Sequence, residues 1–225
     1  MIDYSFGQMV IHLELQLQVR NYKNKITKSN LLIWIGSGSN SSLQLDYPTG
    51  IVRDSSSNTL YIADSYNHRI VSYPSGNIVA GGTSGFGNNQ LNRPFGLFYD
   101  SFSKSFIISN YLSHNVVQWP LDASSWTHMA GGINGSNGNT STLLLNPIGV
   151  IVDPMGNLYV ADINNYRIQF FSQGQKEGQT IAGVTGISSS TAPYLRSPRF
   201  LALDNQLNLY ISEINSNRIL KFLRY

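Results

Sequence analysis

The stretch Leu60-Tyr61-Ile62-Ala63-Asp64-Ser65-Tyr66-Asn67-His68-Arg69-Ile70 returns in phase at 106–116, 158–168 and 209–219. Each copy is an apolar run, a polar turn and a second apolar run, the pattern of an antiparallel hairpin. Working outward, each copy follows a proline and, six residues after it, an aspartate: Pro48 and Asp54, Pro94 and Asp100, Pro147 and Asp153, Pro198 and Asp204. The prolines are 46, 53 and 51 residues apart (48 to 94, 94 to 147, 147 to 198). A period of that length is the signature of β-propeller blades.

One unit reads as four short strands. Gly50 to Arg53 and Leu60 to Ala63 are joined across a polar turn, Arg69 to Tyr73 follows, and Ile78 to Ala80 ends in Gly81-Gly82. The second unit reads 97–99, 106–109, 116–119 and 127–130, and the third 150–152, 159–161, 168–171 and 180–182. Such sheets are apolar on both faces and must be sandwiched between neighbours, as propeller blades are. The expected fold is all-β, a β-propeller of four-stranded antiparallel blades, with blades near 48–82, 94–132, 147–184 and 198–225.

The fourth unit has strands at 201–203, 210–212 and 219–222 and then runs out of sequence. Leu32-Ile33-Trp34-Ile35-Gly36 resembles the missing strand, because Gly36 lies 12 residues before Pro48, as Gly81, Gly131 and Gly183 lie 13, 16 and 15 before the next proline. Residues 31–36 are therefore expected to complete the last blade and cover its edge. Residues 1–30 form an extension with one expected strand, since Ile11, Leu13, Leu15, Leu17 and Val19 alternate with polar residues. Two readings stay open for it: part of an earlier blade in a longer, for example six-bladed, array, or an added edge strand.

Composition supports one β domain. The chain has 225 residues, 41% of them hydrophobic and only 12% charged. The net charge of +3 is scattered apart from Arg20, Lys23, Lys25 and Lys28, a weak basis for nucleic-acid binding. The lack of cysteine removes disulfides, thiol catalysis and cysteine-ligated zinc. No apolar run is long enough to span a membrane, and the N-terminus lacks the basic start and apolar run of a secretory leader. Sequons at Asn40, Asn134 and Asn139 fall in connectors and do not set a compartment.

The segments Leu60-Tyr61-Ile62-Ala63-Asp64-x-x-Asn67-His68-Arg69-Ile70 and Leu158-Tyr159-Val160-Ala161-Asp162-x-x-Asn165-Tyr166-Arg167-Ile168 resemble NHL repeats, and the resemblance extends over residues 31–225. It implies a β-propeller, usually six-bladed, that offers a surface to protein or RNA partners. In a few relatives, such as peptidyl-amidating lyases, it implies an enzyme instead. The chain departs from the pattern at Asn110 and Asn115, which replace Asp and Arg in the second copy, and at Glu213 and Phe200 in the fourth. The second blade is expected to be the least regular.

The acid and base pairs Asp64 with Arg69, Asp162 with Arg167 and Glu213 with Arg218 sit five residues apart across a turn. Their repetition points to turns held by charge-assisted bonds rather than to one catalytic centre. Asp54, Asp100, Asp153 and Asp204 close the first strand of each unit and are expected to cap its turn; the Asp153 loop has too few oxygens for calcium. His68 and His114 occupy matching positions, but a zinc site needs a third ligand, and His128 and His12 lie in non-matching loops. That argues against a metal in the central opening, and no Gly-x-Ser-x-Gly elbow or P-loop lysine is present. No catalytic residue and no cofactor are expected.

What remains is a rim of aromatic and basic side chains. Tyr66, Tyr111 and Tyr166 fall in turns between second and third strands, and Arg93, Phe95, Arg199 and Phe200 lie near blade starts. Tyr61, Tyr159 and Tyr210 lie inside strands and belong to the core. The expected function is a non-catalytic recognition scaffold contacting its partner through Tyr66, His68, Tyr111, His114, Tyr166 and Arg199. A protein is the favoured partner, RNA an alternative, and an amidating-lyase-like enzyme a third reading.

Overall fold

The computed structural model describes residues 44–223. It is all-β, four propeller blades in sequence order. Blade 1 contains β1 (Pro48–Asp54), β2 (Thr59–Asp64), β3 (Arg69–Tyr73) and β4 (Ile78–Gly81). Blade 2 contains β5 (Pro94–Asp100), β6 (Ser105–Asn110), β7 (Asn115–Pro120) and β8 (Thr127–Gly131). Blade 3 contains β9 (Pro147–Val152), β10 (Leu158–Asp162), β11 (Arg167–Phe171) and β12 (Gln179–Gly183). Blade 4 contains β13 (Pro198–Leu203), β14 (Leu209–Glu213) and β15 (Arg218–Phe222), a three-stranded sheet among the described residues. Every blade is an antiparallel meander in chain order. The expected strands at 11–19 and 31–36 lie outside the described residues.

Inner strands pack in the series β1 on β5, β5 on β9 and β9 on β13. Three apolar seams fill the gaps between blades. Ala63 and Ile70 of blade 1 meet Phe106, Ile108 and Trp119 of blade 2. Ile107 and Val116 of blade 2 meet Val160 and Phe171 of blade 3, and Ala161 and Ile168 of blade 3 meet Leu209 and Ile211 of blade 4. The two-residue strand alternation thus sends successive side chains into different seams.

Two sequence features set the blade spacing. Leu91, Leu144 and Leu195, each three residues before a blade's proline, are fully buried in these seams, and Leu45 packs in the same way on Ile62 and Val71. Two residues after the proline, Gly50, Gly96 and Gly149 admit the next blade's inner strand. A Cβ there would lie 2.7 Å from the Phe95 carbonyl oxygen, 2.0 Å from that of Ile148 and 2.3 Å from that of Arg199, respectively. Polar bonds lock the same seams: Thr49 Oγ1 donates to the Phe95 carbonyl (2.9 Å), and Ser109 Oγ donates to that of Ile148 (2.6 Å).

Blade 2 is not the irregular one. Its strands are full length, and Asn110 and Asn115 are cross-strand partners in the register that Asp64 and Arg69 keep in blade 1. The amide pair joins Asn110 Nδ2 to Asn115 Oδ1 (3.2 Å), and Asn110 Oδ1 accepts the Asn92 amide (3.2 Å), so geometry survives the loss of charge.

Candidate functional site

The meander places β1–β2 hairpins at one end of the blades and β2–β3 turns, with the inter-blade connectors, at the other. The second end carries the buried ion pairs. Arg69 Nε donates to Asp64 Oδ2 (2.7 Å), Arg167 Nε to Asp162 Oδ2 (2.8 Å), and Arg218 Nε to Glu213 Oε2. In each pair the second carboxylate oxygen accepts a backbone amide from the incoming connector: Asp46 (2.6 Å), Leu145 (2.7 Å) and Arg196. The guanidinium completes the pin by donating to connector carbonyls, Gln44 (2.9 Å) for Arg69 and Asn139, Thr140 and Leu143 (2.8, 2.8 and 2.9 Å) for Arg167. Burial pushes the Asp162 carboxyl up, opposed by bonds from Asn165, Leu145 and Arg167.

At the hairpin end the aspartates accept turn donors. Asp54 takes the Ser56 amide (2.9 Å), Asp153 the Met155 and Asn157 amides (2.9 Å each), and Asp204 the Gln206 and Asn208 amides (3.0 and 2.9 Å). The Asn208 side chain leads in holding the Asp204 carboxyl down to about 2. Tyr159 and Tyr210 are half-buried strand residues whose hydroxyls reach Asp153 (3.3 Å) and Asp204 (3.1 Å), while Tyr61 is buried in the seam.

His68 and His114 brace adjacent blades. Each Nδ1 accepts the backbone amide of the residue before the next blade's proline, Arg93 and Asn146, both at 3.1 Å. Both histidines are left-handed (φ 54° and 56°), as is Tyr166 (55°) at the matching place in blade 3. Burial lowers both histidine pKa values, with help from Arg93 at His68. A histidine whose folded pKa lies below its unfolded value contributes stability that is fully present above about 6.5 and is lost as pH falls through the folded pKa. Protonation also turns the Nδ1 acceptor into a donor facing an amide. Urea midpoints are therefore expected to fall between pH 7 and pH 5, with a shallower fall in a His68→Asn, His114→Asn variant; equal slopes would refute the brace.

On the rim between these pins, Tyr66, Tyr111 and Arg199 make aromatic and cation–π contacts within the chain. Tyr66 stacks on Tyr47 (ring centroids 4.8 Å apart, 25° between planes), and the Arg93 guanidinium lies 4.3 Å over the Tyr66 ring. Tyr47 and Tyr66 remain 47% and 42% exposed, so an assembled stack faces solvent. Tyr111 packs 6.0 Å from Phe95, donates its amide to the Arg93 carbonyl (3.0 Å), and accepts Asn146 Nδ2 at its own carbonyl (2.9 Å). The Arg199 guanidinium lies 5.2 Å over Phe95, two blades away. Arg93 thus joins Tyr66, His68 and Tyr111, while Arg199 approaches from the axis; Tyr166 is half-buried in blade 3.

Tyr47 was not legible as a rim residue. It precedes Pro48 as Arg93 precedes Pro94, and both are left-handed (φ 51° each), a conformation that proline's neighbour rarely signals. That common position was the available clue.

The axial end of the inner strands offers Thr49, Phe95, Ile148 and Arg199, without an imidazole or carboxylate. Among the described residues no three His, Cys, Asp or Glu side chains gather to hold a metal ion. The residues present do not fit the metal that a lyase-like reading would place at the axis.

Two segments, 45–73 and 144–171, match the NHL repeat model. No curated protein matches the chain in sequence. Solved structures match its fold. A Bacteroides thetaiotaomicron protein of unknown function is 19% identical with a TM-score of 0.62, over 77% of this chain and 46% of that one. A gluconolactonase from Xanthomonas campestris is 16% identical (TM-score 0.61; 81% and 60% covered), and a streptogramin B lyase 15% identical (TM-score 0.56; 79% and 51%). The chain therefore spans 46% to 60% of the length of these structures. At such identities the likeness extends to the fold alone, so this chain is a β-propeller in which two segments match NHL repeats.

Proposed function

We propose that the chain is a non-catalytic recognition scaffold that captures a protein partner on the face formed by its β2–β3 turns and connectors. Tyr66, His68, Tyr111, His114, Tyr166 and Arg199 lie on or beneath that face, and Tyr47 and Arg93 extend it. The observation that carries the reading is the solvent-facing Tyr47–Tyr66–Arg93 stack. Two tyrosines and an arginine ordered before binding supply large contact area with little entropy left to lose, the composition of interface hot spots. The histidines act by holding Arg93 and Asn146 in place.

The test is affinity capture followed by a binding titration with the captured partner. Tyr66→Ala with Arg93→Ala is expected to weaken binding by about 2 kcal/mol, roughly thirtyfold in Kd. The thermal midpoint should move little, because neither residue supplies a blade seam. Unchanged affinity would place the contact elsewhere. An RNA partner would instead show affinity falling steeply with salt as phosphate contacts are lost.

A further inference from the structure

We propose, given that the β2–β3 face captures a protein, that it selects an acidic segment carrying apolar side chains, with carboxylates drawn to Arg93, Arg196 and Arg199 and apolar groups to the connectors beside them. The charge of the face carries this. Its ion pairs cancel, Arg69 with Asp64, Arg167 with Asp162 and Arg218 with Glu213. The charges then left at this end among the described residues are Arg93, Arg196 and Arg199 against Asp46. At the hairpin end the sign reverses: the capping aspartates of all four blades, with Asp122 and Glu177, stand against Arg53, Lys104, Lys176 and Lys221. The described blades are thus positive at one end and negative at the other, which orients a charged partner as it approaches.

Among the described residues neither Arg93 nor Arg196 forms a salt bridge; the bridges belong to Arg69, Arg167, Arg218 and Lys221. Arg93 is held over the Tyr66 ring and Arg199 over Phe95 and Phe200, so aromatic faces place both guanidiniums. A contact chain joins them: Tyr111 donates its amide to the Arg93 carbonyl, and its ring packs on Phe95 beneath Arg199. An ordered planar guanidinium offers a carboxylate parallel N–H donors. Around this chain the connectors expose Phe86, Ile133 and Ile187. Phe86 lies against the next connector, where a Cβ on Gly135 would meet its ring at 2.7 Å. Such aliphatic contacts suit protein side chains, whereas an RNA strand, with a phosphate at every nucleotide, needs a longer cationic track and open ring faces. Tyr66 already has Tyr47 and Arg93 against its ring.

Two labelled synthetic peptides test this on the full chain by fluorescence anisotropy: one has Glu interspersed with Leu and Phe, the other has Gln in place of every Glu. The Glu peptide is expected to bind about tenfold more tightly. Arg93→Gln with Arg199→Gln should abolish that preference. Arg196→Glu, at an exposed position outside the blade seams, should cut it to about threefold with an unchanged thermal midpoint. Lys104→Glu at the hairpin end should leave it intact. Equal binding of the two peptides, no binding of the Glu peptide, or polyuridine binding more tightly and displacing it would each overturn the proposal. Equal binding that Tyr66→Ala still weakens would keep the face as a protein-capture surface and remove only its selection for acidic segments.

Discussion

Arg167→Ala is expected to cost about 4 kcal/mol of folding stability, because it leaves a buried carboxylate without its counter-charge. Asp162 has no exposed surface and Arg167 only 2%, so water cannot replace the guanidinium at Asp162. The same substitution removes the donors that hold the carbonyls of Asn139, Thr140 and Leu143, and with them the connector into blade 3. Burial already pushes the Asp162 carboxyl up, and the variant lacks the cation that opposes it. A carboxyl with a raised folded pKa favours the native state below its unfolded pKa, near 3.8, and loses that advantage as pH rises. The deficit of Arg167→Ala should therefore shrink as pH is lowered toward 4, which urea unfolding across pH would measure.

Blade 2 predicts the rescue. It holds the same turn with Asn110 and Asn115, neutral on both sides. Asp162→Asn combined with Arg167→Asn should lose less than half of what the single substitution loses, since no charge is stranded. A double variant as unstable as Arg167→Ala, or a single variant within about 1 kcal/mol of the parent, would show that the pair does not pin the connector.

Gly96→Ala is expected to destabilise by about 3 kcal/mol despite adding one methyl group. The new carbon would lie 2.0 Å from the Ile148 carbonyl oxygen and 2.9 Å from Ser109 Oγ. The first is backbone and cannot swing aside, so blades 2 and 3 must separate and loosen the Ser109 to Ile148 bond. Gly174→Ala is the control: it has open space around it and a φ of +76°, so only left-handed strain, about 1 kcal/mol, applies. Denaturant midpoints of similar size for the two variants would mean that the seam yields easily.

These expectations rest on features of unequal legibility. The four-copy phase of Pro, Asp and the turn pairs made blades readable, because strand alternation and hairpin chemistry are local. The leucine three residues before each proline was also present in the sequence. Its burial between blades depends on a connector crossing from one sheet to the next, so local pattern assigned it no role. Blade 2 misled for a related reason: Asn for Asp and Asn for Arg look like losses singly, whereas the pair conserves a hydrogen bond that only the cross-strand register reveals.

The rim shows the same division at the site. Tyr66 and Arg199 were identifiable as aromatic and basic residues in turns, yet Tyr47 emerged only through its stack on Tyr66, and Arg93 gained its place through His68 and the Tyr66 ring.

By itself the sequence determined the all-β class, the order of the blades among the described residues and the turns that bear the ion pairs, since each follows from periodicity and residue type within about 50 positions. Tertiary structure alone decided which side chains share a face, how closely blades approach at Gly50, Gly96 and Gly149, and that His68 and His114 accept backbone amides of the following connectors. Those outcomes depend on groups 25 to 46 residues apart meeting within a few ångströms, a distance that no local pattern encodes.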